Sequence, residues 1–264
     1  LIGLGSISMA LYVIHARRTD SPVLDLTLLR LTTLRASIYG GFLFRLGVGA
    51  LPFLLPLLMQ IGFGLSPFGS GLVTFSSAVG AIGMKALAAR IIRAFGFRNI
   101  MTVNAVVSSA FLAACALFTV TTPLLLIMII LVVGGFFRSL QFTAINTLAY
   151  ADVEPERMSR ATTLVSVNQQ LAISAGVALG AFSVEATMAF HHSTELTAAD
   201  FGPGFLVVSV LAATSSYYFF RMPADAGHQV SGRRMVVISD PTRESEAEEE
   251  AARETVTARD QKLN

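Results

Sequence analysis

The sequence predicts an all-α polytopic membrane protein, because its composition is apolar, its uncharged runs are long enough to span a bilayer, and its cations alternate between loops. The 264 residues are 53% hydrophobic and 14% charged, with a mean hydropathy of +0.66. Soluble domains average about 25% charged residues. A helix needs about 20 apolar residues to cross a hydrocarbon core of about 30 Å. These values favour a chain surrounded mainly by lipid.

The first uncharged run, Leu1 to Ile14, is shorter than a complete membrane span. It starts without an initiator Met and lacks the charged segment and cleavage site of a signal peptide. We therefore expect a longer chain upstream and assign residues 1–16 to the end of a preceding transmembrane helix. Residues 17–33 are polar and contain Pro22, which predicts a cytoplasmic linker between two units.

Six runs of full length follow, and they predict a six-helix bundle over residues 34–222. In chain order they are Leu34–Gly62, Gly69–Ala89, Ile100–Val120, Pro123–Leu148, Ala161–Ala189 and Phe205–Phe220. Beyond the last run, residues 223–264 are polar, rich in Glu and without an apolar stripe. This composition is typical of disorder, so we expect a disordered cytoplasmic tail.

The placement of Lys and Arg predicts the orientation of these helices, because short cytoplasmic loops are enriched in cations. Every second connection lacks Lys and Arg altogether: Gly62–Phe68, Thr121–Thr122 and His191–Gly204. The other segments carry Arg17, Arg18, Arg30, Arg35, Arg90, Arg93, Arg98, Arg157, Arg160 and Arg221. The pattern predicts a multi-pass protein with a cytoplasmic C-terminus. Because the cations are spread over separate loops, they do not indicate nucleic-acid binding.

The six runs divide into two triplets, as expected for a pair of inverted repeats. The first run of one triplet contains Gly40–Leu46, and the first run of the other contains Gly134–Leu140; each places an Arg after two glycines and aromatic residues. Arg45 and Arg138 lie roughly 16 Å and 18 Å of helical rise from the cytoplasmic ends of their runs. Both arginines are therefore expected near the middle of the membrane.

A charged side chain at the bilayer centre costs about 2.5 to 3.5 kcal/mol on insertion scales, so Arg45 and Arg138 should face protein or water. They are the leading candidates for a substrate pathway. At helical spacing Arg45 shares a face with small, kinking and polar residues. The other pathway and packing candidates on these faces are Gly41, Pro52, Pro56, Gln60, Gln141 and Gln170. The alternative is structural, with arginines and amides bonding to neighbouring helices.

The remaining reactive residues do not form a catalytic or metal site. Cys115 is the only cysteine and stands in an apolar run, where it packs as a small hydrophobe. His191 and His192 are adjacent, and adjacent side chains diverge, which argues against a metal site with Glu195. We predict no enzyme activity, no cofactor and no metal.

The only carboxylate within an apolar run is Glu185. A proton carrier is therefore expected in the part of the protein that precedes this chain.

Several motifs resemble the fourteen-helix drug:proton antiporters of the major facilitator superfamily, of the EmrB/QacA type. The resemblance covers roughly Pro22 to Arg221. It is carried by Leu51-Pro52 through Gly62, by Gly64-Leu65-Ser66-Pro67, by Gly96-Phe97-Arg98, by Phe136 to Tyr150 and by Asn168-Gln169-Gln170-Leu171 with Gly176.

The resemblance implies that Leu1 to Ile14 ends helix eight and that the six runs are helices nine to fourteen. It implies a central cavity lined by the first, second, fourth and fifth helices of this bundle. Gly96 and Arg98 match a degenerate gating motif, whereas Arg93 and Ala94 depart from it and put a charge relay in doubt. Gly176 is expected to pack helices.

The function expected from these features is proton-coupled efflux of organic compounds by alternating access in a bacterial inner membrane. The expected partners are the lipid bilayer, a small organic substrate, the proton and a periplasmic adaptor protein. Two alternatives stay open at this point. One is a carrier of narrow specificity for a single metabolite, and the other is a membrane sensor or scaffold that does not transport.

Overall fold

The computed structural model describes residue 5 and residues 25–191, 195–223 and 226–227. Within these ranges, six helices are long and apolar enough to cross a membrane. The first, α1, comprises Thr32–Gly49, Leu51–Leu57 and the π-helical turn Leu58–Gly62. The others are α2 (Pro67–Phe95), α3 (Phe97–Ala114), α4 (Leu124–Ala149), α5 (Met158–Phe190) and α6 (Phe201–Phe220). Short 3₁₀ turns occur at Leu26–Arg30, Cys115–Leu117, Pro155–Arg157 and Ala198–Asp200. The predicted all-α polytopic fold is confirmed.

The predicted helix end at residues 1–16 and the predicted tail lie outside the described residues, apart from residue 5 and residues 226–227. The first helix begins at Thr32, two residues before the predicted run, and the last begins at Phe201, four residues before it. The early start of α6 follows from a capping box between Thr197 and Asp200, which orders the turn before the helix. The division into linker, bundle and tail stays a prediction.

Local sequence signals explain the sharp turns at the two ends of α2. Ser66 caps its start by accepting a hydrogen bond from the Gly69 N–H at 3.1 Å, and Pro67 takes the first helical position. At the other end Gly96 adopts a φ of +79°, a conformation that glycine reaches without steric cost. This single residue reverses the chain directly into α3.

Prolines interrupt the regular course of α1. Pro56 lies inside the helical segment Leu51–Leu57, where its missing N–H removes a backbone hydrogen bond. The next five residues form a π-helical turn, a feature that often marks functional positions in helices. The Ser70 hydroxyl of α2 donates to the Pro56 carbonyl at 3.2 Å. The C-terminal part of α1 is therefore distorted and tied to α2.

Helix packing follows the predicted division into two triplets. The first helix of one triplet, α1, packs against α5 and α6 of the other triplet, and the first helix of that other triplet, α4, packs against α2 and α3. If α1, α2 and α3 are exchanged with α4, α5 and α6, each of these pairs maps onto the other. Helices α3 and α6 also pack against each other. This pairing is the one expected of inverted repeats related by a pseudo-twofold axis.

Glycines allow the closest helix pairs to approach. A Cβ at Gly80 of α2 would overlap the Val132 carbonyl of α4, and one at Gly135 would overlap the Ser77 carbonyl. A Cβ at Gly176 of α5 would likewise overlap the Leu46 carbonyl of α1. Small residues at such positions let helix backbones pack tightly within a membrane. The close α2–α4 and α1–α5 pairs bring the middle of α1, α2 and α4 together around a cavity.

Candidate functional site

A cavity of about 480 Å³ lies between α1, α2 and α4, and it contains both arginines that the sequence singled out. We call it the arginine cavity. Its described lining consists of Arg45, Val48, Gly49, Leu51, Pro52, Leu55, Pro56, Thr74, Ser77, Arg138, Phe142 and Ile173. These residues include two cations and two hydroxyls, and no carboxylate is found among them. Most of the remaining side chains are apolar.

Arg45 is held behind the surface of this cavity by α4. Its side chain is almost completely buried, at 1% exposure, and its Nη2 donates to the Asn146 Oδ1 at 2.6 Å. Its Cζ also lies 5.9 Å from the centre of the Phe142 ring, within the range of a cation–π contact. The buried Nε has no hydrogen-bond partner in the described part of the chain. Arg45 is therefore anchored at one end of its guanidinium and unsatisfied at another.

Gly41 provides the space that the Arg45 guanidinium occupies. A Cβ at Gly41 would lie 2.7 Å from the Arg45 Nη1 and 3.0 Å from the Ile145 Cγ2. Both distances are shorter than an ordinary van der Waals contact. The glycine predicted as a packing residue thus lies one helical turn before the arginine and makes room for its side chain.

Arg138 of α4 also lines the cavity and is half-buried. Its Nη2 donates to the Ser77 Oγ of α2 at 3.1 Å. The same arginine borders a second, small space of about 20 Å³ that is also lined by Ser108, Phe111 and Cys115. The Ser108 Oγ is buried and has no hydrogen-bond partner among the described residues, and a space of this size can hold one water molecule.

The orientation of α4 differs from the sequence prediction in one respect. We expected Gln141 to lie on the face of α4 that carries Arg138. A side chain four residues after Arg138 points about 40° away from it around the helix axis, whereas one three residues after it points about 60° away in the opposite sense. Arg138, Phe142 and Asn146 therefore follow one another on the face that meets α1.

Gln141 lies instead in a hydrogen-bonded network between α3 and α4. It is fully buried, at 0% exposure. Its Oε1 accepts from the Asn104 Nδ2 at 2.8 Å, and its Nε2 donates to the Met101 carbonyl at 3.1 Å. The Asn104 Nδ2 also donates to the Phe137 carbonyl at 2.9 Å. This geometry places Gln141 in the packing between α3 and α4 and outside the lining of the arginine cavity, so its role in a pathway stays a prediction.

The other predicted pathway residues are dispersed. Pro52 and Pro56 line the arginine cavity, but Gln60 lies further along α1 in the π-helical turn and is half-buried. Gln170 is exposed on α5. Neither glutamine belongs to the lining of the cavity. Nearby on α5, the Asn168 Nδ2 donates to the Ile38 carbonyl of α1 at 3.1 Å, which fixes this helix pair.

The predicted gating residues connect α3 to α6. Gly96 forms the turn between α2 and α3, and the Arg98 Nε donates to the Phe220 carbonyl at 3.0 Å. The Arg98 guanidinium also lies over the Phe220 ring, with 5.1 Å between its Cζ and the ring centre. Arg98 thus caps the last carbonyls of α6, a helix end that favours a cation.

The described arginine-rich segments lie at one end of the bundle, which we call the basic end. A polar cluster that the sequence analysis missed lies there. The Arg157 Nη2 donates to the Asp25 Oδ2 at 2.7 Å and also to the Thr27 hydroxyl. Arg160 lies 3.7 Å from the same carboxylate. We call these four residues the Asp25 cluster. Beside it, the Thr33 Oγ1 donates to the Asp152 Oδ2 at 2.8 Å.

Charge and hydrogen bonding determine the state of Asp25. Burial raises the pKa of its carboxyl, but hydrogen bonds from Thr27 and Arg157 lower it further than burial raises it, so the net pKa is below its usual value. The carboxylate therefore stays charged at neutral pH. No local motif could have identified this cluster, because Asp25 and Arg157 are 132 residues apart.

At the opposite end of the bundle, Asp200 lies in the connection between α5 and α6 and is buried at 1% exposure. Its Oδ2 accepts from the Thr197 N–H and hydroxyl, both at 2.8 Å. The His191 Nδ1 lies 3.3 Å from its Oδ1. His192 lies outside the described residues. Among the residues that the structure describes, no group of three His, Cys, Asp or Glu side chains is positioned to hold a metal.

Comparison with known proteins gives a consistent set of relatives. The family described as Major Facilitator Superfamily matches residues 37–255. "Putative multidrug resistance protein MdtD" from Enterobacter sp. (strain 638) is 32% identical over 242 residues, covering 89% of this chain and 50% of the relative. The protein of the same name from Escherichia coli O139:H28 is 30% identical over 237 residues, covering 88% and 50%. The chain spans about half the length of the curated relatives it matches.

Proposed function

This chain belongs to the major facilitator superfamily of membrane transporters, and from that premise we propose that it forms one half of a proton-coupled exporter of organic compounds. The observation that carries the proposal is the arginine cavity. An arginine in the middle of an apolar membrane helix costs free energy unless its side chain faces protein or a water-filled cavity. Such residues often mark a transport pathway. Here both border one space of about 480 Å³, which is the range of small-molecule sites.

The proposed orientation places the basic end in the cytoplasm of a bacterium, with the protein in the inner membrane. It rests on Arg90, Arg93, Arg157 and Arg160, which lie in the helix ends and the turn at that end, and on the absence of Lys and Arg from the described residues of the intervening loops. In this orientation the arginine cavity lies between the two faces of the membrane. The prolines and the π-helical turn of α1 lie towards the outer face.

Alternating access requires parts of the bundle that move and parts that stay rigid. The glycine contacts of α2 with α4 and of α5 with α1 favour rigid helix pairs. The break in α1 at Pro52 and Pro56 borders the cavity and provides a place where a helix can bend. We propose that the outer part of α1 changes its angle when the cavity opens to the outside. The Asp25 cluster would hold the inner end closed in that state.

Proton coupling needs a group that binds and releases a proton during the cycle. The described lining of the arginine cavity has no carboxylate or histidine. We therefore propose that the carrier belongs to the other half of the complete protein, facing this cavity. A periplasmic adaptor protein remains a proposed partner that rests on the family resemblance.

The experiment that tests this function is efflux from cells that lack their main drug pumps and express the complete protein. Fluorescent and antibiotic compounds are loaded, and their loss is followed with and without an uncoupler. We expect uncoupler-sensitive efflux of at least one organic compound, and we expect Arg138→Ala to reduce it without lowering membrane abundance. Arg90→Ala is the matched control, since Arg90 is exposed at the basic end of α2. If well-expressed protein exports nothing from a broad panel, the exporter proposal fails.

A further inference from the structure

The arginine cavity has an unbalanced charge. Its described lining contains the guanidinium groups of Arg45 and Arg138, and no carboxylate accompanies them. Their hydrogen-bond partners are neutral, since Arg45 donates to the Asn146 amide and Arg138 to the Ser77 hydroxyl. Buried charges in proteins are normally paired with an opposite charge or with a ligand. A bound molecule with a negative charge can therefore balance the two guanidinium groups.

The two guanidinium groups also retain free donors. An arginine has five N–H groups arranged in a planar fork. The Arg45 Nε is buried without a partner in the described part of the chain, and Arg138 makes one side-chain hydrogen bond there, to Ser77. Such a fork matches the two oxygens of a carboxylate or of a related oxyanion. Arg138 is the more accessible of the two, because Arg45 is almost fully buried.

The rest of the lining indicates the body of the ligand. Val48, Leu55 and Ile173 are aliphatic, and Phe142 adds an aromatic ring next to Arg45. An apolar lining with a few converging polar groups is typical of sites for small organic molecules. An anionic group beside the arginines and an apolar or aromatic body against these side chains would satisfy both parts of the cavity.

We infer that the arginine cavity binds organic anions, with Arg138 in direct contact with the oxyanion and Arg45 adding positive potential from behind. As a statement about substrate class, the inference rests on the proposed function, because only an exporter would carry the bound anion across the membrane. Organic cations are disfavoured by the same arrangement, since a cation in this cavity would meet two like charges in its described lining. Specificity therefore follows the sign of the ligand's charge.

The test uses two dyes that share a xanthene ring and differ in charge, the anion 5-carboxyfluorescein and the cation rhodamine 123. The complete protein is purified, dye binding is followed by fluorescence anisotropy, and transport is followed in phosphatidylcholine proteoliposomes with an imposed pH gradient. Phosphatidylcholine carries no net negative charge, so anionic lipid does not compete for the arginines. Four variants are compared: Arg138→Gln, Arg138→Lys, Ser77→Asp and the exposed control Arg90→Gln.

We expect the protein to bind and transport 5-carboxyfluorescein in preference to rhodamine 123. Arg138→Gln should weaken binding of the anion about tenfold, and Arg138→Lys should recover part of that loss, because a lysine retains the charge without the fork. Ser77→Asp leaves Arg138 in place and supplies a resident carboxylate next to it, so it should weaken anion binding to a similar extent. Arg90→Gln should behave like the unmodified protein.

A preference for rhodamine 123, or equal losses for both dyes in Arg138→Gln and Ser77→Asp, would overturn the inference. In that case continued uncoupler-sensitive transport would leave the proposed exporter function intact. Anion binding that depends on Arg138 but is not followed by transport would support the inference and contradict the exporter function. Binding of neither dye would contradict the inference directly, whatever the outcome of the cellular efflux experiment. Ser77→Asp keeps the test decisive if Arg138→Gln fails to fold.

Discussion

The arginines at the basic end and those in the arginine cavity have opposite kinds of partner. At the basic end, Arg157 and Arg160 share the carboxylate of Asp25, at 2.7 and 3.7 Å. In the cavity, Arg45 and Arg138 are held by an amide and a hydroxyl. The less costly location therefore has charge pairing, and the more costly location has none among the described residues. Stability alone would favour the reverse arrangement.

This difference separates a structural use of arginine from a functional one. A paired arginine near water contributes a modest amount to stability and changes little else. An unpaired arginine in the membrane destabilises the folded protein unless a ligand or a moving partner compensates for its charge during the transport cycle. The comparison predicts that changes in the cavity mainly affect transport, whereas changes at the basic end and in the helix contacts mainly affect stability.

The largest expected effect is in the cavity, and it involves the space beside Arg45. Gly41→Val should displace the guanidinium, because a Cβ alone would already lie 2.7 Å from the Nη1. We expect a loss of transport of about tenfold or more, similar to that of Arg45→Gln. The double variant should be no worse than either single variant, since both remove one interaction. Efflux rates normalised to membrane abundance would check this, and additive losses would contradict it.

The next effect concerns the buried network between α3 and α4. Gln141→Leu leaves the Asn104 amide without one of its partners, and it should destabilise the protein by about 1–3 kcal/mol. Transport by the remaining folded protein should be close to normal, because Gln141 does not line the cavity. Replacing both residues by Leu should recover part of the stability. Thermal unfolding in detergent, measured together with efflux, would reveal a pathway role if transport fell more than abundance.

A smaller effect is expected at the Asp25 cluster. Asp25→Asn should lower the free energy of unfolding by about 1 kcal/mol at neutral pH, because it weakens a partly exposed ion pair. The lowered pKa of Asp25 sets the sign of the pH dependence. Its stabilising effect is complete above the unfolded value of about 3.9 and is lost as the pH falls through the lower folded value. Unfolding temperatures of both proteins should converge in that acidic range, and a constant difference would contradict the account.

The smallest effect is expected at Gln170, which is exposed on α5 and lies outside the cavity. Gln170→Ala should change neither the unfolding temperature nor the efflux rate by a measurable amount. The matched change is Asn168→Ala two residues earlier, which removes the hydrogen bond to the Ile38 carbonyl and should lower stability. A selective transport defect in Gln170→Ala would extend the pathway onto α5 and would revise the extent of the cavity.

The sequence predicted the elements that depend on length and hydropathy. Runs of apolar residues located the six membrane-length helices that the structure describes, whereas the depth of Arg45 and Arg138 in the membrane stays a prediction from helical rise. The side-chain faces followed less directly from the sequence, because the third and the fourth residue after Arg138, which are Gln141 and Phe142, both lie near its face of the helix and we chose Gln141. The choice depends on where α1 and α3 pack against α4. That information belongs to the assembled bundle and is absent from the sequence of one helix.

Contacts between distant segments were beyond prediction from local patterns. The pairing of Asp25 with Arg157 and the bond between Arg98 and the Phe220 carbonyl join residues more than a hundred positions apart. Asp200 lies in the predicted connection between the last two helices, and a local capping box and His191 satisfy its carboxylate within the fold. Polar residues of this kind are buried when the fold supplies their partners.

The most direct test of the central claim, that the arginine cavity is a transport pathway, is the accessibility of Ser77. The complete protein is made free of other cysteines, including Cys115, and Ser77→Cys is labelled with a membrane-impermeant thiol reagent from each side in turn. Ser209→Cys, at a buried position of α6, is the control. The account predicts that Ser77→Cys is labelled, that a transported compound protects it, and that an imposed pH gradient changes the accessible side. Labelling that is absent from both sides, or that substrate and gradient leave unchanged, would contradict it.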